Sequence, residues 1–431
     1  MLQIAFLRQH TAQAITQLKV KQFAELHLVD EVLQLDDNRK KIQFEVEELL
    51  AKINSTSKEI GMLMQQGQQA KASNLKQQIA DYKIAIEPLK TDLKNIEEAI
   101  HNILVRLPNL PSTAVPQGKT PEDNVVVSQS KNIPELSTNA VPHWDLARQY
   151  NLIDFELGNK ITGSGFPVYI NQGAKLQRAL IQYFLDFNTK AGYIEYATPF
   201  MVNSDSAYGT GQLPDKEGQM YYVGQDALYL IPTSEVPLTN IWRDVIVKEE
   251  ELPIKMTAYS PCFRREAGSY GKDVRGLNRV HQFDKVEIVQ IVHPDKSYTI
   301  LEEMVAHVEK LLQTLELPYR LLKLCGGDMS FASALTYDFE VYSAAQKRWL
   351  EVSSVSNFES FQSNRMKTRY KDATGKTQLV HTLNGSSLAL PRIVAALLEN
   401  NQTLENIHLP NVLHTYMAST LVASQSMNRY L

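Results

Sequence analysis

Two runs of heptad spacing in the first quarter of the chain constrain its fold more than any other feature. Alternating intervals of three and four separate the residues of the first run, which are Val32, Leu35, Arg39, Ile42, Val46, Leu49, Ile53, Thr56, Ile60 and Leu63. After a glycine-bearing break at 65–69, the second run comprises Leu75, Ile79, Tyr82, Ile86, Leu89, Leu93, Ile96, Ile100 and Ile103. The spacing predicts two helices that fold back as an antiparallel coiled-coil hairpin over about residues 28–105, with arms of about 45 Å.

Three residues within these runs are poor fits to a straight coiled coil. Arg39 and Thr56 are polar, and Pro88 should kink the returning helix or strain it by about 3 kcal/mol. Acidic and basic residues are interleaved along the hairpin, so its charge does not distinguish an RNA-binding arm from a dimerisation or spacer coil. Both interpretations stay open at this point.

A proline-spaced segment from Leu107 to Pro121 separates the hairpin from the rest of the chain. Neither a helix nor a central strand tolerates that spacing of prolines. We therefore expect an N-terminal helical domain at 1–106, a linker at 107–121 and one large domain at 122–431.

Composition excludes several classes of protein. The 44 Lys and Arg against 48 Asp and Glu give a net charge of −4, which argues against nonspecific coating of nucleic acid. No apolar run approaches the roughly 18 residues that span a bilayer, so no membrane association is expected. Two cysteines are too few for a disulfide scaffold or a thiolate zinc site, and HExxH and CxxC patterns are absent. Together with an N-terminus that lacks a basic-then-apolar leader, this predicts a cytoplasmic protein without zinc.

Local patterns in the large domain predict a helix followed by strands. An apolar stripe from Leu176 to Phe187 indicates a helix that ends near Gly192, and 193–200 is then expected to form a strand. The β-rich runs at 257–264 and 280–292 flank a polar loop at 267–278, which is typical of two antiparallel strands.

Charged residues at alternate strand positions are the main candidates for chemistry. The two-residue period puts Phe283, Lys285 and Glu287 on one face, with the first and last about 13 Å apart. Arg264 and Glu266 should share a face of the preceding strand. These side chains could hold a base and an ammonium group of one extended ligand, or they could form a salt-bridged outer face of the sheet.

Several segments match the signature segments of one enzyme family, in the same order. They are GTGQLP at 209–214, PTSEVP at 232–237, FRREAGS through DVRGL to RVHQFDKVE at 263–287, EVSS at 351–354, and HTLNGS at 381–386 with Arg392. The segment at 263–287 resembles motif 2 of seryl-tRNA synthetases, and 381–392 resembles their motif 3. Pro199 stands where motif 1 has its proline, and the hairpin followed by PNLP at 108–111 resembles the family's N-terminal arm.

The resemblance implies an α+β fold: a class II synthetase antiparallel sheet flanked by helices and preceded by the coiled-coil hairpin. It implies ATP-dependent ligation of L-serine to tRNA(Ser) through a seryl-adenylate, with tRNA(Sec) as a second candidate acceptor. A homodimer that grips the long variable arm of tRNA with the hairpin is expected. An inactive synthetase-like RNA-binding protein and an amino acid:carrier-protein ligase are the alternatives, although such carrier-protein ligases lack the long hairpin.

The resemblance also implies roles for individual residues. Arg264 would hold the α-phosphate, and Arg392 would hold the γ-phosphate and cover the adenine opposite Phe283; these two arginines are the expected catalytic residues. ATP would contact Arg264, Arg265, Glu266, Arg279, Val280, Phe283, Glu351, Val352, Ser353, Ser354 and Arg392. Serine would lie among Thr233, Ser234, Glu235, Glu287, Asn384 and Ser386. Mg²⁺ would bind Glu351 and Ser354, which requires a bulge or a strand end because a regular strand points these two to opposite faces.

Overall fold

A long helical hairpin forms the N-terminal part of the computed structural model, which describes residues 1–215, 217–267 and 275–423. Its arms are the helices α3 and α4, joined by a turn that contains Gly67 at φ +73°. Every residue of both predicted heptad runs is buried or half-buried, which confirms the coiled coil. The helices are α1 Ile4–Gln9, α2 Thr11–Val20, α3 Leu28–Gln65, α4 Gln69–Leu104, α5 His143–Gln149, α6 Phe155–Ile161, α7 Asn171–Lys190, α8 Ser204–Thr210, α9 Glu235–Asn240, α10 Ser297–Thr314, α11 Phe361–Met366, α12 Leu390–Asn400 and α13 His414–Met417.

Ion pairs accommodate one of the polar seam residues. Arg39 donates to Asp36 at 2.9 Å, and Arg8 and Lys40 also pair with that nearly buried carboxylate at 2.7 and 2.9 Å. The helix α4 runs unbroken through Pro88. No helix in the described parts of the chain is long and apolar enough to cross a membrane.

The described residues form two compact units, one of residues 1–19 and 23–108 and one of residues 20–22, 109–215, 217–267 and 275–423. The short segment 20–22 belongs to the second unit because the ammonium of Lys21 donates to the carbonyls of Asn109, Phe331 and Ser333 at 3.3, 3.1 and 2.8 Å. The domain limits derived from the prolines stay a prediction.

An eight-stranded sheet is the centre of the second unit. The strands of the chain are β1 Val125–Gln129, β2 Ile153–Asp154, β3 Val168–Tyr169, β4 Ile194–Glu195, β5 Met201–Val202, β6 Tyr222–Val223, β7 Leu228–Leu230, β8 Ile246–Lys248, β9 Ile254–Phe263, β10 Gln282–Val292, β11 Tyr319–Lys323, β12 Leu335–Ser343, β13 Arg348–Asn357, β14 Arg369–Lys371, β15 Thr377–Leu379, β16 His381–Ala389, β17 Asn406–His408 and β18 Leu421–Ala423. The strand order of the eight-stranded sheet is β1-β11-β12-β13-β16-β10-β9-β4. Within this sheet every pair of neighbouring strands is antiparallel except β4 and β9, which are parallel.

Helices α7, α10 and α12 contribute to the apolar core with strands of the sheet. Of the predicted stripe from Leu176 to Phe187, Leu176, Leu180 and Phe184 are buried there, and Phe187 is partly buried against the same core. The antiparallel pair β9 and β10 confirms the two predicted strands, and the part of their connecting loop at 268–274 lies outside the described residues. The strand predicted at 193–200 is wrong in extent, because only Ile194–Glu195 pair in the sheet. The α+β class with an antiparallel sheet and an N-terminal hairpin is confirmed.

Candidate functional site

Two buried carboxylates meet at the middle of the sheet. Glu287 on β10 is fully buried, and Glu235 at the start of α9 is 6% exposed. The amide nitrogen of Asn384 on β16 donates to both, at 2.8 Å to Glu235 Oε2 and 3.2 Å to Glu287 Oε1. Ser386 Oγ donates to Glu287 at 3.3 Å, and Lys285 Nζ lies 2.6 Å from Glu287 Oε2. The cluster thus combines two carboxylates, one ammonium and two neutral donors.

The strand register explains why these residues meet. Lys285 and Glu287 share a face of β10, as the alternation predicts, and Glu287 lies opposite Ser386 on β16. Since Lys285 is 5% exposed and Glu287 is fully buried, the interpretation of this face as a solvated salt-bridged surface is wrong.

Two side-chain hydrogen bonds hold the segment before α9 in place. Thr233 Oγ1 accepts from the backbone N–H of Glu235 at 3.2 Å, which supports the first turn of the helix. Ser234 Oγ donates to Ser260 Oγ on β9 at 2.6 Å. These contacts position Glu235 against the sheet although it is far from Glu287 in the sequence.

Glu235 differs from an ordinary surface carboxyl in its protonation. Burial, reinforced by the nearby negative charge of Glu287, raises the pKa of Glu235 to about 7. The amide of Gln362 on α11 donates to it at 2.6 Å and opposes that shift. A carboxyl with a pKa near neutrality ionises readily when a cation arrives beside it.

Gln362 is a functional candidate that the sequence patterns did not indicate. Its amide nitrogen also donates to the carbonyl of Thr210 in the GTGQLP segment, at 3.1 Å, and its oxygen accepts from Thr382 at 2.7 Å. It therefore connects three of the family-like segments. No motif or spacing could have revealed this, because the partners are 20 to 152 positions away in sequence.

An arginine and an aromatic ring lie at the other end of the β10 face. The guanidinium of Arg264 is 5.2 Å from the centre of the Phe283 ring, and its Nε donates to the carbonyl of Pro232 at 3.4 Å. A planar cation over an aromatic face is a favourable arrangement. The two side chains predicted for the phosphate and the base are therefore neighbours.

The residues after β9 leave the strand geometry. Because β9 ends at Phe263 and Glu266 has φ +49°, Arg264 and Glu266 do not share a strand face, and that part of the prediction is wrong. Glu266 accepts a hydrogen bond from Arg279 across the base of the loop. Arg265 is exposed, whereas Val280 is buried just before β10.

Arg392 connects the end of the β9–β10 loop to strand β13. Its Nε donates to the carbonyl of Asn278 at 2.9 Å, and its Nη1 donates to the carbonyl of Glu351 at 2.7 Å. It lies in the first turn of α12, which begins at Leu390 with Pro391 at its second position. The missing N–H of a proline is tolerated there.

A buried histidine that sequence reasoning missed supports this region. His143 Nε2 accepts from the backbone N–H of Leu277 at 2.8 Å, so Nδ1 carries the proton and donates to Glu399 on α12 at 2.7 Å. Gly276, at φ +65°, leaves room for the imidazole, since a Cβ there would lie 2.3 Å from Nε2. His143 thereby links Leu277, near the end of the β9–β10 loop, to Glu399 on α12 by two hydrogen bonds.

The predicted irregularity between Glu351 and Ser354 is present as a bulge at Val352, because Phe339 pairs with Ser353 while Glu340 pairs with Glu351. Ser353 Oγ donates a hydrogen bond to the carbonyl of Ser386 at 2.6 Å. Asp338 lies opposite Ser354, and its Oδ1 is buried without a hydrogen-bond partner in the described structure. Burial and the charge of Glu351 raise the pKa of Asp338.

These donors suit a shared magnesium ion better than a preformed metal cage. Within residues 1–215, 217–267 and 275–423, no group of three or more His, Cys, Asp or Glu side chains could hold a metal ion by itself. Mg²⁺ commonly takes one or two carboxylates and completes its shell with waters and substrate phosphates. Glu351, Ser354 and the unpaired Asp338 oxygen fit that role.

Comparisons with known proteins identify the two parts of the chain. The family model described as "Seryl-tRNA synthetase N-terminal domain" matches residues 1–111. The family model described as "tRNA synthetase class II core domain (G, H, P, S and T)" matches residues 221–401. A serine--tRNA ligase of Salinibacter ruber is 46% identical over 99% of this chain and 100% of its own length.

Two solved structures are similar in fold. Seryl-tRNA synthetase of Pyrococcus horikoshii complexed with ATP has a TM-score of 0.91 at 31% identity, covering 99% of this chain and 100% of that one. The cytoplasmic serine-tRNA ligase of Naegleria fowleri in complex with AMP has a TM-score of 0.87 at 26% identity, covering 99% of both chains.

Proposed function

The chain belongs to the seryl-tRNA synthetase family, and from that premise we propose that it ligates L-serine to tRNA(Ser) at the expense of ATP. The first step joins serine and ATP into seryl-adenylate with release of pyrophosphate. The second moves the seryl group to the 3′ end of the tRNA. The observation that carries the proposal is the buried pair of Glu235 and Glu287 joined by Asn384, at the opposite end of one strand face from Arg264 and Phe283.

The carboxylate end is assigned to serine. Hydroxyl and amide groups lie around the two glutamates, on Thr233, Ser234, Asn384 and Ser386. Carboxylate charge is thereby available for the ammonium group of serine. Alanine lacks the hydroxyl and would leave a buried polar partner unpaired, which can reduce its use by several orders of magnitude. Threonine differs by one methyl group, so its exclusion depends on the fit of the pocket wall.

The cationic end is assigned to ATP. The guanidinium of Arg264 is a permanent cation that can bind the α-phosphate through two nitrogens at once. Negative charge develops on the oxygens of this phosphate as the serine carboxylate attacks the phosphorus, and the arginine stabilises that charge. Arg392 would bind the γ-phosphate and cover the adenine opposite Phe283, with Glu266 and the backbone of Val280 at the adenine edge. The remaining ATP contacts are assigned to Arg265, Arg279 and the segment Glu351, Val352, Ser353 and Ser354.

Magnesium is the metal that these residues suit. Glu351 and Ser354 would hold it, with Asp338 beside them. When bound, the ion would neutralise charge on the phosphates of ATP. The protein's own part is to fix the donors through the bulge at Val352 and to keep Arg392 next to Glu351.

The helical hairpin is assigned to the long variable arm of tRNA. Its exposed residues include Phe44, Met62 and Ile84, which are 67%, 57% and 72% exposed and thus available to a partner. Folded RNA is recognised mainly through shape and backbone. A homodimer, a cytoplasmic location, tRNA(Sec) as a second acceptor and the domain limits 1–106, 107–121 and 122–431 complete the proposal.

Serine-dependent exchange of pyrophosphate into ATP tests the proposal. We expect exchange with serine and Mg²⁺, and at least 100-fold less with alanine at equal concentration. A matched control is the variant Glu303→Gln, which changes an exposed glutamate of α10 and should leave the rate unchanged. Exchange that ignores serine, or that prefers another amino acid, would refute the assignment of the pocket.

A further inference from the structure

Lys285 carries the single ammonium of the carboxylate cluster, and the proposed contacts to serine and ATP do not include it. Lys285 is 5% exposed, and its Nζ lies 2.6 Å from Glu287 Oε2, which is fully buried. A buried ion pair is costly to desolvate and often contributes little to stability. Its place between Phe283 and Glu287 on the face of β10 therefore calls for a functional explanation.

We propose that Lys285 is a positioning residue of the serine site, whose charge balances Glu287 so that Glu235 supplies the negative charge for the incoming serine ammonium. The inference rests on the proposed serine activation and adds the charge balance of its pocket. Two ionised glutamates and one lysine carry a net charge of −1, which equals the charge needed to neutralise one ammonium. Without Lys285 the two carboxylates would repel each other across the Asn384 amide that both accept from.

Other charged and titratable groups around Glu235 do not replace Lys285. The elements around Glu235 carry Glu287 and Lys285 on β10, Cys262 on β9, Arg264 just after β9, Tyr208 on α8 and Arg365 on α11. Arg264 is over the Phe283 ring, and Arg365 donates to the carbonyls of Tyr208 and Leu213. Burial raises the pKa of the Cys262 thiol, which keeps that group neutral.

A purely structural role for Lys285 makes a different prediction from a role in the pocket. If the ion pair only stabilised the fold, its loss would lower stability without a selective effect on one substrate. If Lys285 sets the charge of the pocket, its loss favours a proton on Glu235, because that carboxyl already has a pKa of about 7. Serine binding must then displace the proton, so the serine KM rises at neutral pH and falls steeply as pH increases.

The test measures the serine KM and the ATP KM of Lys285→Met by pyrophosphate exchange between pH 6 and 9. We expect the serine KM at pH 7 to rise at least tenfold and the ATP KM to change less than threefold. The pH at which serine binding improves should move upward by at least one unit. Lys255→Met on the neighbouring strand β9 is the matched control and should leave the serine KM within twofold.

A second variant keeps the test decisive. In a Glu287→Gln background, Glu235 and Lys285 leave no net charge, and Lys285→Met restores the charge of −1, so this second change should lower the serine KM at pH 7 at least threefold instead of raising it. Equal effects in both backgrounds, or an unchanged serine KM and pH profile of Lys285→Met, would overturn the proposal. If Lys285→Met did not fold but the double variant did, Glu287→Gln and the double variant would be compared instead: a lower serine KM in the double variant would support the proposal, and an unchanged serine KM would overturn it. If neither folded, the role of Lys285 would be structural and the proposal wrong.

The outcomes also separate this inference from the proposed function. A wild-type protein that shows no serine-dependent exchange would refute serine activation itself. An active wild type whose Lys285→Met variant binds serine normally would refute only the inference about Lys285.

Discussion

Replacing Glu287 by glutamine tests the pocket with the smallest change in shape. The carboxylate receives three donors, at 2.6 Å from Lys285, 3.2 Å from Asn384 and 3.3 Å from Ser386. A glutamine side chain presents one acceptor oxygen and one NH₂ group, so one donor would face another donor. The charge of Lys285 would also stay buried without its partner.

The magnitude follows from these contacts. Removing one partner of a buried ion pair costs about 3–5 kcal/mol, so the free energy of unfolding should fall by about 3 kcal/mol. A lost hydrogen bond to a charged group weakens serine binding by about 1.5–3 kcal/mol, which corresponds to about 10- to 150-fold. We therefore expect Glu287→Gln to lower kcat/KM for serine about 100-fold.

The assay is pyrophosphate exchange with serine and ATP varied in turn, alongside urea unfolding. The ATP KM should stay within about threefold, because Phe283 and Arg264 lie at the other end of the strand face. Glu303→Gln again serves as the control variant. A Glu287→Gln enzyme with nearly wild-type kcat/KM for serine would refute the assignment of this pocket.

Three further predictions address the ATP end, the hairpin and the titration of the pocket. Arg392→Lys cannot donate from two separate nitrogens to the carbonyls of Asn278 and Glu351, so exchange should fall about 100-fold, and a rate within fivefold of wild type would contradict the adenine-cover role. Replacing residues 33–100 by a short flexible loop should leave exchange within fivefold but reduce tRNA charging at physiological salt at least 100-fold; normal charging would make the coil a spacer, and lost exchange would refute the domain limits. Because the folded pKa of Glu235 is raised to about 7 from 4.5, the folded state binds more protons between these values, and stability should decline by about 3 kcal/mol from pH 4.5 to 7 relative to Glu235→Gln. Urea unfolding at pH 5 and pH 8 measures this decline, and equal pH dependence of the two proteins would contradict it.

Local periodicity was sufficient to predict the elements whose partners are close in sequence. The heptad spacing predicted α3 and α4, and the two-residue period predicted the shared face of Lys285 and Glu287. The geometry of a strand also required the bulge at Val352 once Glu351 and Ser354 were assigned to one ion.

Contacts between distant segments were beyond the reach of local patterns. Gln362 reaches Glu235 across 127 positions, and His143 reaches Glu399 across 256, so only the folded sheet brings them together. The extent of β4 was also beyond local patterns, because this edge strand is defined by its pairing with β9, which includes only Ile194 and Glu195.

Direct charging of bulk tRNA tests the central claim most simply. The purified protein is incubated with ATP, Mg²⁺, all twenty amino acids and total bacterial tRNA, and the aminoacyl-adenosine released by nuclease from the tRNA 3′ ends is identified by mass spectrometry. The account predicts seryl-adenosine as the dominant product, lost when ATP is omitted. Another aminoacyl-adenosine, or none from a protein that binds tRNA, would contradict it.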